Sequence, residues 1–331
     1  MKKILIIRLS SIGDIVLTSP IIRCLKLQKG FEIHYLTKPE YSILLESNPY
    51  INKIHKLKSN FNETIIDLKY ENYDFIIDLH NNIRSWLIKL NLRCASSTYK
   101  KGTLAKYLLI YFNILGSNLH IVEKYFQAIR IFNVINDNCG LDYFIGPTVE
   151  VDYNINQSYI AWSVGASYNQ KMLSEKQIIS VINKIEFPVV LLGGGDEAKM
   201  GDTIIQKSTN KRIYNFCGKL SLDQSAFLIK NSCLVLSNDT GLMHIAAAFK
   251  KIIISFWGCT KPVLGFYPYM SDYGSIQIVS KPNLSPCSKH GNYCKIQKNG
   301  CIKEIDPKVI LNEINRLMKQ NNINCHLESK H

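Results

Sequence analysis

Two segments combine acidic, hydroxyl and glycine residues where an apolar run gives way to a helix-like pattern. The first, RLSSIGDIVLTSP at 8–20, contains Ser11, Gly13 and Asp14. Ligands of α/β proteins bind at the carboxyl ends of strands, so Asp14 is a candidate general base. Gly13 would permit an unusual backbone angle and close approach by a ligand. Asp14 also suits a helix N-cap, and these residues leave both roles open.

The second segment is LSNDTGLMHIAAA at 236–248. A strand-like run ends at Asp239, and Thr240 and Gly241 begin a helix of small residues. Backbone N–H groups and the helix dipole at such a start suit a phosphate. His244 follows Thr240 by about one turn and shares its helix face. The alternative is an ordinary helix start with a packed histidine, but the group as a whole favours anion binding.

Lys171 follows another strand-like run, in GASYNQKMLSEKQ, together with Ser167. A flexible ammonium there could neutralise a pyrophosphate, although a lone loop lysine is usually only solvated. The glycine-rich LLGGGDEA at 191–198 lacks the G-x-G-x-x-G spacing, so it is a weak nicotinamide signal.

The segment CSKHGNYCKIQKNGC holds three cysteines and a histidine: Cys287, His290, Cys294 and Cys301. Four such ligands could close a tetrahedral zinc site. Their spacing is not a common zinc-finger pattern. We expect a loop with free thiols, with zinc binding as the alternative.

His80, Asn81 and Arg84 lie at or just after the end of the run DFIIDLH and could meet an acidic sugar or a phosphate. The alternative is an ordinary loop and helix start. The basic stretch STYKKGTLAK at 97–106 could dock an anionic glycolipid at a membrane surface, or simply form a solvated face.

The elements that must position these residues alternate between strand-like and helix-like patterns, which is typical of βαβ units and parallel sheets. A polar stretch at 146–158 is interpreted as a linker. The predicted strands are 3–9, 32–36, 52–57, 74–79, 159–165, 187–194, 211–216, 233–238 and 251–258. The predicted helices are 14–28, 39–47, 62–70, 83–92, 174–185, 196–208, 221–232, 240–249 and 306–320, with two more in 103–135.

Length and composition limit the number of domains and the class of protein. A chain of 331 residues with 46% hydrophobic residues favours two domains. We expect no transmembrane helix and no signal peptide, hence a cytoplasmic protein whose ten cysteines are mostly reduced. The net charge of +14 favours anionic partners, or reflects a composition rich in Lys, Asn and Ile. The sequence contains no obvious basic helix with interleaved aromatic residues, so nucleic acid is not the first choice of partner.

Four segments together resemble the bacterial heptosyltransferases of glycosyltransferase family 9. They are RLSSIGDIVLTSP, YDFIIDLHNNIRS, CGKLSL, and SNDTGLMHIAAA followed by ISFWGCTKP. The resemblance implies a GT-B fold, in which two Rossmann-like, doubly wound domains face each other. Residues 1–150 would form the acceptor-side domain with the catalytic base, 151–316 the nucleotide-sugar domain, and 317–331 a polar tail.

The resemblance also implies an inverting transfer of heptose from ADP-heptose to an inner-core lipopolysaccharide acceptor. Asp14 aligns with the proposed base, and His80, Asn81 and Arg84 would bind the acceptor. The protein would need no cofactor and would make peripheral contact with the inner membrane surface. The implied donor-binding residues are Ser11, Gly13, Ser167, Lys171, Asn215, Asp239, Thr240, Gly241 and His244.

The sequence departs from the family pattern at two positions, because Cys259 and Lys261 stand where many relatives have Pro and Asp. The identity of the donor therefore stays open. One alternative is a UDP- or GDP-sugar donor used in capsule or O-antigen synthesis. Another is a non-catalytic relative that binds a nucleotide or glycolipid. The chain has no obvious Asp-x-Asp pair for a metal–diphosphate bridge, so we expect metal-independent transfer.

Overall fold

The computed structural model of the chain describes residues 2–114, 119–152, 155 and 157–321. Contacts between Cα atoms divide the chain into two compact units. Unit 1 comprises Met1–Thr103 and Leu119–Pro147, and unit 2 comprises Leu104–Asn118 and Thr148–His331. The domain bounds expected from the sequence stay a prediction, and the contacts add that the segment 104–118 groups with unit 2.

Unit 1 contains a parallel sheet with the strand order β3-β2-β1-β4-β5. Its central strand has the apolar sequence KILII, and Ile4 to Ile7 are fully buried, as expected of a strand covered on both faces. Ile7 pairs with Asp78 of β4, and the chain reverses its direction of winding between these two strands. The strands are β1 Lys3–Ile7, β2 Glu32–Thr37, β3 Lys53–Lys56, β4 Phe75–Asp78 and β5 Ala95–Thr98.

The helix predicted for 14–28 is two helices. The first ends at Val16 and the second begins at Ser19, with Pro20 in its first turn, where the missing N–H costs nothing. The two helices predicted within 103–135 are confirmed. The helices from Ile12 to Ala128 are α1 Ile12–Val16, α2 Ser19–Lys29, α3 Ile43–Glu46, α4 Phe61–Tyr70, α5 Ile83–Leu92, α6 Thr103–Phe112 and α7 Ile121–Ala128.

Unit 2 contains a parallel sheet with the order β11-β10-β9-β6-β7-β8, and its winding reverses between β6 and β9. Trp162 and Phe256 are fully buried in its core. The strands are β6 Ile160–Ser163, β7 Val189–Leu192, β8 Ile213–Asn215, β9 Leu234–Asn238, β10 Ile253–Trp257 and β11 Ile276–Val279.

Serine caps begin two helices of unit 2, as predicted. Ser174 accepts from the N–H of Gln177 at 3.3 Å, and Ser221 accepts from the N–H of Gln224 at 3.2 Å. The helices are α8 Glu175–Ile182, α9 Ala198–Lys207, α10 Leu222–Asn231, α11 Gly241–Ala248 and α12 Pro307–Gln320.

The strands β5 and β11 were not predicted, and both lie at sheet edges. An edge strand pairs on one side only, so it needs less apolar sequence than a central strand. Ala95–Thr98 has the sequence ASST, with its first two residues exposed, and carries no apolar run.

The expected α/β class with doubly wound sheets is confirmed. Among the described residues, no helix has both the length and the apolar character needed to cross a bilayer. The start of the predicted polar tail at 317–331 is helical, because α12 runs to Gln320. The rest of that tail, 322–331, lies outside the described residues.

Candidate functional site

Asp14 lies in the first turn of α1, directly after β1. Ser11 is the N-cap, so Asp14 does not take the capping position that the alternative interpretation gave it. Ser11 donates to Asp14 Oδ2 from its backbone N–H at 3.4 Å and from its hydroxyl at 3.2 Å. The unusual backbone angle predicted for Gly13 is wrong, because the helix already begins at Ile12 and Gly13 is one of its buried residues.

Arg8 fixes Asp14 in place. Its Nη2 lies 2.7 Å from Asp14 Oδ2, while Nη1 donates to the carbonyl of Leu79 at 2.6 Å and Nε to that of Ser10 at 2.8 Å. The Arg8 side chain is 9% exposed and that of Asp14 24%. The guanidinium thus joins the loops after β1 and β4 and orients a carboxylate that solvent still reaches. Arg8 was not among the predicted residues, although it is the one basic residue of the motif at 8–20.

Asp78, the last residue of β4, organises the predicted acceptor segment. It is fully buried, and its Oδ1 accepts from the N–H groups of His80 at 3.0 Å and Asn81 at 2.7 Å. Its Oδ2 accepts from the Ser85 hydroxyl at 2.8 Å and lies 2.9 Å from Lys89 Nζ. Asp78 therefore shapes the turn and is itself sequestered. Asp78 was not among the predicted residues, although a charged residue at the end of an apolar strand is a signal that could have identified it.

His80 and Arg84 offer different chemistry within that segment. Burial, reinforced by the charge of Arg8, lowers the pKa of His80 to about 4, so the ring is neutral at physiological pH. Arg84 is exposed in the first turn of α5. Asn81 has a positive φ of 54° and donates from Nδ2 to the carbonyl of Tyr99 at 3.0 Å, which makes it part of the turn's framework.

In unit 2, Lys171 and Asp239 form an ion pair. Lys171 Nζ lies 2.7 Å from Asp239 Oδ2, and their side chains are 11% and 14% exposed. Thr260, which was not predicted, donates its hydroxyl to the same oxygen at 2.9 Å. These residues follow β6, β9 and β10, three adjacent strands. The structure thus groups two predicted residues from distant parts of the sequence at one sheet edge.

The predicted phosphate-binding helix begins at this edge. Thr240 is the N-cap of α11, and its hydroxyl oxygen lies 3.4 Å from that of Ser163, at the end of β6. Buried Asn238 donates to the carbonyl of Val164 at 2.8 Å, which ties the loops after β9 and β6 together. Gly241 is the first helical residue. His244, one turn on, is 4% exposed, so its ring is packed inside unit 2.

Ser167 and Asn215 lie further along the loops of unit 2. Ser167 is exposed between β6 and the short turn that carries Lys171. Asn215 ends β8 and is 7% exposed. Its amide donates to Asp202 Oδ1 at 2.8 Å and accepts from the N–H of Cys217 at 3.0 Å. Both ends of this amide therefore hold unit 2 together, and the donor contact predicted for it stays a prediction.

The two departures at 259 and 261 have structural roles. Lys261 is 5% exposed and donates to the carbonyls of Lys281 and Leu284. Cys259 is fully buried beside Cys287, Cys294 and Cys301. The predicted group of three cysteines and His290 is thus corrected: among the described residues, the fourth member is Cys259, because its loop pairs with Cys287 through an N–H···O bond of 2.8 Å.

Comparisons with known proteins agree with this arrangement. The model of glycosyltransferase family 9 (heptosyltransferase) matches residues 64–296. Lipopolysaccharide heptosyltransferase 1 of Campylobacter coli is 22% identical over 290 residues, which are 78% of this chain and 84% of that protein.

Two solved structures share the fold. A glycosyl transferase family 9 protein from Veillonella parvula is 18% identical, with a TM-score of 0.79 over 96% of this chain and 98% of that one. The E. coli ADP-heptose LPS heptosyltransferase II is 21% identical, with a TM-score of 0.73 over 97% of this chain and all of that one. The expected GT-B fold is confirmed.

Proposed function

Because this chain belongs to glycosyltransferase family 9, and is a glycosyltransferase, we propose that it moves a heptose from ADP-heptose to an inner-core lipopolysaccharide acceptor with inversion. The names of two similar proteins, a lipopolysaccharide heptosyltransferase and an ADP-heptose LPS heptosyltransferase, support this substrate class. Unit 2 would bind the donor, and unit 1 would supply the base.

The grouping of Lys171, Thr240 and Gly241 at the carboxyl ends of β6 and β9 carries the proposal. A departing nucleoside diphosphate gains negative charge as the sugar bond breaks. The Lys171 ammonium and the N–H groups at the start of α11 are the donors that would stabilise this charge. Ser163 and Thr240 add hydroxyl oxygens 3.4 Å apart beside them. In this proposal Asp239 positions Lys171 through the 2.7 Å ion pair.

Asp14 would remove the proton from the acceptor hydroxyl as that oxygen attacks the anomeric carbon. Inversion follows from this single displacement, which passes through an oxocarbenium-like state as in glycoside hydrolysis. Such a base contributes about 10²- to 10⁴-fold in rate. The 2.7 Å pair with Arg8 and the bonds from Ser11 support this role, since they hold the carboxylate in one orientation.

Lys171 and the amides of α11 would supply the positive charge that a divalent cation provides in other transferases. We therefore expect transfer to proceed without added Mg²⁺. A strict requirement for Mg²⁺ in a steady-state assay would contradict this part of the proposal.

The acceptor would be recognised by the segment that Asp78 shapes. Arg84 is exposed and cationic, which suits a phosphate or an acidic sugar. His80 is neutral, because its pKa is about 4, and so can offer a hydrogen bond to a hydroxyl without repelling nearby cations. Asn81 would act beside them.

An exposed apolar face in unit 1 supports a lipid-linked acceptor. Ile83, Trp86 and Leu90 are 77%, 56% and 56% exposed, and their spacing puts them on one face of α5. Exposed Arg84 and Arg93 flank them, a combination that suits an anionic bilayer surface. Trp86→Ser should reduce flotation with anionic vesicles. Tyr70→Ser, which removes an 81% exposed aromatic of α4, should not.

A donor panel tests the proposal directly. ADP should raise the melting temperature more than UDP or GDP, because a ligand stabilises the folded state that it binds. ADP-heptose should then support transfer to a heptose-deficient lipopolysaccharide. Stabilisation by UDP or GDP but not by ADP would favour the capsule or O-antigen alternative, which Cys259 and Lys261 keep open. Nucleotide binding without any turnover would favour the non-catalytic alternative.

A further inference from the structure

We propose that Cys259, Cys287, Cys294 and Cys301 together bind one thiophilic transition-metal ion, zinc or iron, as a structural tetrathiolate site in unit 2. The four Sγ atoms all lie within 4.8 Å of one another. Cys259, Cys287 and Cys301 are 0%, 2% and 1% exposed, and Cys294 is partly buried. This inference is independent of the proposed donor and acceptor.

The sulfur spacing fits a single ion. Metal–sulfur bonds of about 2.3 Å in a tetrahedron place neighbouring sulfurs about 3.8 Å apart. Cys287 Sγ and Cys294 Sγ are 3.8 Å apart. A disulfide would bring two sulfurs to about 2.05 Å, so this pair is not bonded. Four thiolates in tetrahedral geometry select zinc or iron over the hard cations magnesium and calcium.

The surrounding chain lacks regular secondary structure. Residues 280–300 form turns and bends with no helix or strand. A loop of this length inside a compact unit is uncommon without a function or a cross-link. Three of the four cysteines lie at or after 287 and the fourth in the loop after β10, so an ion would join two separate stretches of chain. Structural metal sites contribute directly to folding in this way.

The cysteine loop also supports Lys171. Gly291 has a φ of +79°, and a Cβ there would overlap Cγ and Cδ of the Lys171 side chain. Gly300 has a φ of +93°, and a Cβ there would overlap the backbone of Gln170. Lys303 donates to Asn169 Oδ1 at 2.8 Å. A site that fixes the loop therefore also fixes the turn that presents Lys171.

A second group of possible metal ligands lies in unit 1, but its neighbours disfavour a bound cation. His34, His55 and Glu71 also approach one another closely. Lys3 and Lys53, however, both pair with Glu71. His34 and His55 also share hydrogen bonds with each other and with the Tyr73 hydroxyl. Two ammonium groups at the carboxylate oppose a further cation, so this group is a polar network of the fold.

The test is elemental analysis of the full-length protein purified under reducing conditions without chelators. We expect about one zinc or iron per chain, and the analysis identifies which. Cys287→Ser and Cys301→Ser should each lose the metal. Cys233→Ser should keep it, because Cys233 lies at the amino end of β9, away from the cluster. Protein refolded with Co²⁺ should show the intense visible absorption of tetrahedral thiolate coordination.

Two single substitutions distinguish the two possible ligand sets, one with Cys259 and one with His290 as the fourth ligand. Cys259→Ser should lose the metal and His290→Ala should keep it. The reverse result would overturn the ligand set proposed here. Wild-type protein that has well under one metal per chain and gives no Co²⁺ spectrum, or that contains disulfides among these cysteines, would overturn the site itself. These readouts do not depend on transferase activity, so they stand even if the proposed donor is wrong.

Discussion

Each unit builds an ion pair between an aspartate and a basic side chain at the carboxyl edge of its sheet, but the two pairs are held by different additional hydrogen bonds. In unit 1, Asp14 pairs with Arg8 at 2.7 Å, and Arg8 also donates to two backbone carbonyls. In unit 2, Asp239 pairs with Lys171 at 2.7 Å and also accepts from Thr260. In unit 1 the cation is tied to the backbone and Ser11 also donates to the anion, whereas in unit 2 the anion takes the additional hydrogen bond. This difference suits a base in one unit and a phosphate ligand in the other.

The largest expected effect separates the two aspartates. Asp14→Asn should lower kcat by about 10²- to 10⁴-fold, because the base is lost, while the Kd for ADP stays near that of the wild type. Asp239→Asn should mainly raise the KM for the donor, because Lys171 loses its partner. Steady-state kinetics and calorimetric titration with ADP measure both effects.

Asp67→Asn is the matched control, since this exposed residue of α4 forms a surface ion pair with Lys58 at 2.6 Å. Transfer by Asp14→Asn at the wild-type rate would show that the base lies elsewhere. Equal losses of kcat in Asp14→Asn and Asp239→Asn would remove the functional distinction between the two pairs.

A smaller effect is expected for the ammonium of unit 2. Lys171→Met keeps the length and apolar stem of the side chain but removes its charge. The Kd for ADP should rise about 10- to 100-fold, which corresponds to the loss of one charge-assisted hydrogen bond. Lys176→Met, an exposed position on α8, should bind ADP like the wild type. Unchanged binding by Lys171→Met would remove Lys171 from the donor site.

The last expected effect concerns stability in acid and leaves turnover and donor binding at neutral pH unchanged. Burial lowers the pKa of His55 and of His80, both in unit 1, to about 4. Because the unfolded chain binds these protons at about pH 6.5, stability is complete above that pH and falls as the pH drops from 6.5 to 4. His55 alone contributes up to about 3 kcal/mol of this loss. Hydrogen exchange between pH 7 and 4.5 should show β1–β4 losing protection before β6–β10.

His55→Asn should weaken this dependence, because the group that takes up the proton is removed. Fluorescence offers a second probe, since Trp162 and Trp257, both in unit 2, are 0% and 1% exposed. Loss of protection in unit 2 before unit 1 on acidification would contradict the prediction.

Much of the framework could be predicted from the sequence, because each central strand is an apolar run ending in a polar turn. Asp14, Lys171 and Asp239 were placed after strands for this reason. The contacts of Arg8 with Leu79 and of Lys171 with Asp239 could not be predicted, because they form only after distant strands pair. The edge strand β5 was missed because edge pairing demands little apolar sequence, whereas β11 was missed although its sequence IQIV is largely apolar.

The cysteine cluster shows the same limit. Three of its members are close enough in sequence to suggest a ligand set, and His290 looked like the fourth because of its position among them. Folding instead brings in Cys259, which follows a different strand.

The sequence by itself therefore determined where the strands end, which residues stand there and which family the motifs resemble, since these follow from local patterns of apolar and polar residues. Only the tertiary structure decided that Lys171 pairs with Asp239, that Arg8 reaches the carbonyl of Leu79, and which four sulfurs meet. Those outcomes depend on contacts between segments far apart in the chain, and no local pattern encodes them.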